Sequence, residues 1–406
     1  MFIHQSRLKH VLPPEVYWTQ QAYEQELEKL LWPAWHLVAT RRELANDGDF
    51  VTVELMGKPL MIRNCEGELH AFLNVCAHRH CLLSTDRRGS SPRIRCPYHG
   101  WEYDKHGRTG KIPDAKAFAP FERERARLLK YRIDTCGDLI FVTLAEHGPT
   151  LQEFLGTSYA SCQADFSHPW EEVWGWESEY PCNWKIPVEN SLESYHMDCL
   201  HLNTFGRFPK EELCTHKFED NLTRFHLDIS GYKDNAMQRR VMHVLGGGKT
   251  DRYTHEHVFP NFLFTHSDTY SMLQSVVPIS PTRAATVVRL FAFRGDRKNL
   301  LARIVAFLAK REGIKMTRKI LLEDAGIFEA VQRGNENTIY TGVLGTREER
   351  VFAFQDWVAR QCALSTPDFQ PGDGEAAQLA CNATGAESNG AASCSCEHEP
   401  ALQSKS

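Results

Sequence analysis

Two short stretches constrain this chain more than anything else in it. Residues 75–79 read Val75-Cys76-Ala77-His78-Arg79, and residues 95–101 read Arg95-Cys96-Pro97-Tyr98-His99-Gly100-Trp101. Each offers one thiolate and one imidazole, with seventeen residues between His78 and Cys96. Four such donors in two matched pairs suit a metal centre. One form is a tetrahedral zinc site; the other is a two-iron, two-sulfide cluster with Cys76 and Cys96 on one iron and His78 and His99 on the other. Neutral imidazoles lower the negative charge of such a cluster and raise its reduction potential above that of an all-cysteine one. Pro97, Gly100 and Trp101 suit a tight loop whose backbone N–H groups face sulfur. The surroundings do not read as a zinc finger. DFVTVELMG, KPLMIRN, LHAFLNV, PRIRC and DLIFVTL are short strands separated by polar, Gly-containing turns, so Trp35 to about Val142 reads as a small all-β unit.

The remainder is long enough for further domains: 406 residues suggest two or three. A net charge of −5 argues against nucleic-acid binding. No apolar run is long enough to span a membrane, and the N-terminal segment has no apolar signal region. Thirteen cysteines, an odd number, point to reduced thiols and a cytoplasmic setting. Cys65, Cys136, Cys162, Cys182, Cys214 and Cys362 read as buried small hydrophobes. Residues 19–31 place Tyr23, Leu27, Leu30 and Leu31 on one helical face, with Thr19 as a candidate cap and Pro33 as the stop. Strands are expected at 271–279 and 285–293, long helices over 298–334 and a short one over 352–363. The segment 366–406 has the composition of a disordered tail, and its Cys381, Cys394, Cys396 and His398 read as tail groups more readily than as a metal site. Gly246-Gly247-Gly248-Lys249-Thr250 lacks the first glycine and leading strand of a phosphate loop and reads as a turn. No GxGxxG follows a strand, so electrons are expected from a separate protein.

A one-electron cluster needs a destination. His196 and His201 lie five apart with Glu193 three before the first. Five residues on a regular helix turn through roughly 140°, so both imidazoles reach one metal only where the helix ends or distorts. A third ligand is expected on the stretch TRKILLEDAGIFEAVQRG. Ile320, Ile327 and Val331 share an apolar face there, and Asp324 falls within it. A carboxylate on such a stripe is costly unless paired or metal-bound. Asp324 would complete a 2-His-1-carboxylate face with positions open for O₂. Glu323, turned about 100° away, is the weaker candidate.

With CAHR, CPYHGWEYD, NWK at 183–185, Glu193-x-Tyr195-His196-x₄-His201 and Glu323-Asp324, the chain from about Tyr17 to Ala363 resembles the catalytic (α) subunits of Rieske non-haem iron oxygenases, the ring-hydroxylating oxygenase family. The resemblance implies an α+β chain: an N-terminal helical segment (1–34) packing on the catalytic domain, an all-β Rieske domain (35–145), a catalytic domain of antiparallel sheet covered by helices (146–365), and the tail. It implies a 2Fe–2S cluster on Cys76, His78, Cys96 and His99, and Fe(II) on His196, His201 and Asp324. NAD(P)H would act only through a reductase or ferredoxin partner. The implied activity is that of a terminal oxygenase component that hydroxylates or oxidatively dealkylates a small organic substrate with O₂. It further implies a homotrimer in which His99 of one protomer meets Glu193 of the partner subunit. The family often has Asp at that place. Glu in E-x-Y-H resembles the monooxygenase branch acting on quaternary ammonium compounds. By family position Asn190 and Met197 line the pocket. His80 stands where the family usually has Gly, and is expected to shield the cluster. The alternatives are a Rieske-type electron-transfer protein without oxygenase activity and a zinc-stabilised binding protein.

Overall fold

The computed structural model describes residues 2–202, 204, 209–295 and 299–364; the tail and its cysteines lie outside them. The fold is α+β, as expected, and rests on two antiparallel sheets. The first runs in the order Trp35–Thr40, Leu139–Thr143, Lys130–Cys136, Glu68–Leu73, Lys58–Cys65, Asp49–Leu55, Arg88–Ser90. A two-stranded ribbon, Ile94–Arg95 with Glu102–Tyr103, frames the second cysteine–histidine loop.

The second sheet is a meander from Cys214–Glu219 through Leu222–Asp228, Arg252–Val258, Phe262–His266 and Tyr270–Ser280 to Arg283–Phe293, with Trp170–Tyr180 added beside the last. Phe264, Leu273, Val276 and Phe291 in its middle strands are fully buried. Register sets one face towards the catalytic side. Gln274 pairs with Val288, Thr286 with Val276 and Tyr180 with Ala284, which puts Gln274, Thr286 and Tyr180 on the same side of the sheet.

Where long helices were expected there is one, Leu300–Asn337, of 38 residues. At 1.5 Å per residue it is about 57 Å long. Asn299 caps it by accepting from the Ala302 N–H at 2.8 Å. Gly313 lets it lie against the sheet. A Cβ there would sit 2.2 Å from the Tyr270 ring, whose hydroxyl donates to the Ala309 carbonyl at 2.5 Å.

The helix expected over 19–31 begins at Gln20, and Thr19 makes no side-chain cap. After Glu26 it widens into a π-helical turn, Leu27–Leu31, closed by the Trp32 N–H on the Leu27 carbonyl at 2.9 Å. Leu27, Leu30 and Leu31 are all buried across this turn. Gly246, at φ +73°, ends the helix Lys233–Leu245, so the Gly-rich stretch is a helix cap.

The NWK segment is an anchor. Trp184 donates to Glu26 at 2.7 Å and Lys185 meets the other Glu26 oxygen at 2.5 Å, all three side chains being buried. Asn183 donates to the Pro281 carbonyl, while its own N–H is held by Gln332 of the long helix. A buried ion pair of this kind costs roughly 3–5 kcal/mol when one partner is removed. It ties the N-terminal segment to the helix Lys185–Leu192 that leads into Glu193. Cys65, Cys136, Cys162, Cys182, Cys214 and Cys362 are buried, as expected.

Candidate metal centres

The two cysteine–histidine loops are near copies of each other. In the first, the Cys76 N–H donates to the Cys81 carbonyl at 2.8 Å and the His80 N–H to the Cys76 carbonyl at 3.1 Å. In the second, the Cys96 N–H donates to the Trp101 carbonyl at 2.8 Å and the Gly100 N–H to the Cys96 carbonyl at 3.0 Å. Each loop turns at the residue four after its cysteine through a left-handed backbone: His80 at φ +59° and Gly100 at φ +71°. His80 therefore holds the conformation that glycine adopts freely. Its side chain is exposed.

The loops bring four donors together. Cys76 and Cys96 are buried to within 2% exposure. The His78 and His99 rings lie 4.6 Å apart, and the Nδ1 of each is buried without a hydrogen-bond partner. Buried imidazole nitrogens left unpaired are costly, so this donor set fits a cluster with two sulfur and two nitrogen ligands. Tyr103 and Trp101 complete the pocket. The Tyr103 hydroxyl lies 3.0 Å from Cys76 Sγ and accepts from the Ala77 N–H, and Trp101 stacks on His78 at 4.7 Å. Tyr103 had no role in the sequence reading, because its contact with Cys76 is made only once the ribbon folds. Burial pushes the Cys76 thiol up, against the lowering effect of Tyr103.

The second constellation solves the spacing problem of His196 and His201 by local irregularity. The helix Lys185–Leu192 stops as Glu193 turns extended, and a single short helix, Met197–Leu200, follows. His196 and His201 are its two caps, so neither is bound to the rotation of a regular helix, and their rings lie 5.1 Å apart. The long helix brings Asp324 between them. Its Oδ1 lies 3.0 Å from His201 Nε2 and 3.6 Å from His196 Nε2, and ligand atoms of all three residues fall within 4.8 Å of one another. Asp324 Oδ1 is buried and receives no well-directed hydrogen bond. Two imidazole nitrogens converging on one such oxygen suit a small cation.

Both imidazoles are gripped from behind. Glu193 accepts from His196 Nδ1 and from the backbone N–H groups of Tyr195 and His196, the last at 3.1 Å. Glu323 accepts from His201 Nδ1 at 2.8 Å and from the Thr204 hydroxyl at 2.9 Å. Desolvation lowers the His201 pKa, but the Asp324 and Glu323 carboxylates outweigh it and the net direction is up. Glu323 itself is held low: burial would raise it, and the His201 and Thr204 hydrogen bonds prevail.

Beside Asp324 lies a small cavity lined by Tyr180, Asn190, Ser191, Gln274, Thr286 and Phe328, among others. The Tyr180 and Phe328 rings meet at 84° with centroids 5.2 Å apart. Met197 is half-buried in the short helix and is not among the cavity's described lining.

Comparison with known proteins matches residues 34–124 to the Rieske 2Fe–2S domain and residues 167–364 to the ring hydroxylating alpha subunit (catalytic domain). The chain belongs to the Rieske-type ring-hydroxylating oxygenases. The centres of this family are a Rieske 2Fe–2S cluster and a non-haem iron. Over 192 residues, 47% of this chain, it is 31% identical to the glycine betaine monooxygenase oxygenase subunit of Pseudomonas aeruginosa, and spans only 44% of that protein's length. It is 26% identical over 339 residues to the chloroplastic choline monooxygenase of Spinacia oleracea, covering 81% of this chain and 72% of that one. Among solved structures, the quaternary ammonium Rieske monooxygenase CntA in complex with L-carnitine superposes with a TM-score of 0.71 at 20% identity, covering 86% of this chain and 95% of that one. Naphthalene 1,2-dioxygenase from Rhodococcus sp. gives 0.68 at 17% identity, covering 88% and 95%. At these identities the superpositions speak for the fold. Among the described residues no helix is long and apolar enough to cross a membrane.

Proposed function

We propose that this chain is the terminal oxygenase component of a multi-protein system, acting with O₂ on a small organic substrate. One observation carries the reading: His196, His201 and Asp324 converge in the same chain that pairs Cys76 and His78 with Cys96 and His99. A Rieske electron carrier has no use for the second group. When bound, the cluster would supply single electrons and the ferrous ion would supply O₂ activation beside the substrate.

The chain's own groups have separable tasks. Cys76, Cys96, His78 and His99 hold the cluster; His196, His201 and Asp324 hold the iron. Glu193 keeps the His196 proton on Nδ1, leaving Nε2 free to ligate. Asn190, in the cavity wall next to Asp324, contacts the substrate. Electrons come from a separate reductase or ferredoxin, and NAD(P)H acts only through it. The cytoplasm suits an odd complement of thirteen cysteines.

The working unit is a homotrimer that sets the cluster edge of one protomer, at His99, against Glu193 of the partner subunit. Two exposed aromatics support this. Tyr98 is 55% exposed with its ring 3.7 Å from that of His99, and Tyr195, next to His196, is 63% exposed. Large exposed rings beside both centres suit an interface that joins them. Glu193 in E-x-Y-H, together with relatives named for glycine betaine and choline, favours monooxygenation of a quaternary ammonium compound, with hydroxylation or dealkylation as the outcome, over arene dihydroxylation.

Two measurements test this. Iron analysis of the reconstituted protein gives about three irons per chain for the oxygenase and about two for a carrier. Substrate-dependent O₂ uptake with a surrogate reductase, screened over quaternary amines and aromatic acids, identifies the class. No uptake with any quaternary amine but uptake with an aromatic acid reverses the assignment to the monooxygenase branch.

A further inference from the structure

Glu323 and Asp324 are consecutive on one helix and do different work. One residue turns a helix by about 100°, so the two carboxylates diverge. Asp324 faces the Nε2 atoms of both imidazoles, while Glu323 passes outside and takes His201 from behind. Glu323 Oε2 accepts from His201 Nδ1 at 2.8 Å, and the Thr204 hydroxyl, three residues further along the His201 loop, reaches both Glu323 oxygens at 2.9 and 3.0 Å. Lys319, one turn earlier on the same helix, approaches Glu323 at 3.6 Å. His201 is 2% exposed and the Glu323 side chain 22%, so the hydrogen bond is largely shielded from water.

We infer that Glu323 is a positioning residue that fixes the tautomer and direction of His201 and ties its loop to the helix carrying Asp324. This rests on the reading of His196, His201 and Asp324 as an iron site. With the Nδ1 proton held by a carboxylate, the Nε2 lone pair is presented to the metal and the ring becomes a more basic ligand. The arrangement also makes one rigid element set two ligands at once: Asp324 directly and His201 through Glu323. Glu193 does the corresponding work for His196 from only three residues away, whereas Glu323 does it across 122. Thr204 keeps both Glu323 oxygens engaged, so the carboxylate is not free to swing inward and compete as a ligand.

The test is metal binding, read apart from turnover, on the full chain with its cluster in place. Fe(II), and Co(II) as a spectroscopic stand-in, are titrated into protein whose mononuclear site has been emptied by mild chelation. Glu323→Ala is expected to weaken binding about 10–100-fold and to alter the Co(II) visible bands. Glu323→Gln keeps an oxygen acceptor for the His201 Nδ1–H and is expected to recover most of that affinity. Visible absorbance of the cluster and thermal midpoint are expected to stay at wild-type values in Glu323→Gln, so a folding defect is told apart from a positioning one. If Glu323→Ala binds both metals with wild-type affinity and an unaltered Co(II) spectrum, the inference is wrong. If the wild type binds no metal that Asp324→Ala abolishes, the iron-site reading itself fails, which is a separate result.

Discussion

The four donors of the Cys–His pairs come from two loops that begin twenty residues apart, at Cys76 and Cys96, each closed by its own pair of backbone hydrogen bonds. The three groups of the second constellation, His196, His201 and Asp324, come from the two ends of a short irregular helix and from a long helix more than a hundred residues downstream. One centre is therefore written locally and the other depends on docking. Asp324 arrives with the long helix, which packs on Tyr270 at Gly313 and grips the Asn183 N–H through Gln332. A local site survives disturbance elsewhere in the fold; a docked one does not.

If the two centres are separable, single ligand changes affect one and spare the other. Asp324→Ala is expected to abolish substrate-dependent O₂ uptake, by at least about a thousandfold, because loss of a metal's charge stabilisation is worth several kcal/mol. Iron content should fall by one atom per chain while the visible spectrum of the cluster stays. Cys96→Ser is the mirror experiment: the visible bands vanish and the chelatable mononuclear iron remains. A cluster lost in Asp324→Ala would mean that the Rieske loops lean on the docked helix after all.

The next effect is smaller and concerns traffic between the centres. Glu193→Gln keeps one acceptor oxygen, enough for either His196 Nδ1 or the backbone N–H groups that the two carboxylate oxygens now serve separately, and it removes the charge. Both metals should stay bound, and reoxidation of the reduced cluster by O₂ in the presence of substrate should slow about 10–100-fold. Stopped-flow absorbance of the cluster reads this directly. Wild-type reoxidation in Glu193→Gln would remove Glu193 from the path and leave it only as a support for His196.

The same contrast explains what could be read from the chain. The two Cys–His pairs, the strands around them and the His196–His201 pair were legible, because donors a few residues apart advertise themselves in any sequence. Asp324 was legible for a different reason: a carboxylate within the apolar stripe of Ile320, Ile327 and Val331 demands an explanation. Tyr103, Thr204 and the grip of Glu323 on His201 were not. Each is an ordinary polar residue until tertiary contact gives it a partner, and the partner of Glu323 lies 122 residues away. The π-helical turn at Leu27–Leu31 was hidden because its apolar residues satisfy a regular helical stripe equally well. His80 was visible as a departure from glycine, but its backbone was not.

That residue offers the finest test of the local plan. The two loops share one hydrogen-bonding scheme and one left-handed turn, filled by His80 in the first and Gly100 in the second. A side chain in this conformation costs roughly 1–2 kcal/mol, against a glycine penalty of about 0.5–1 kcal/mol from the freer unfolded chain. His80→Gly should therefore stabilise the cluster-loaded protein by about 0.5–1 kcal/mol. Gly100→Ala should destabilise it by more, since its Cβ would also sit 3.2 Å from the Arg95 guanidinium. Denaturant midpoints of the two variants, with cluster absorbance as the probe, should move in opposite directions. If both variants lower the midpoint, the His80 side chain does more for the loop than hold its turn, and the two loops are alike in backbone only.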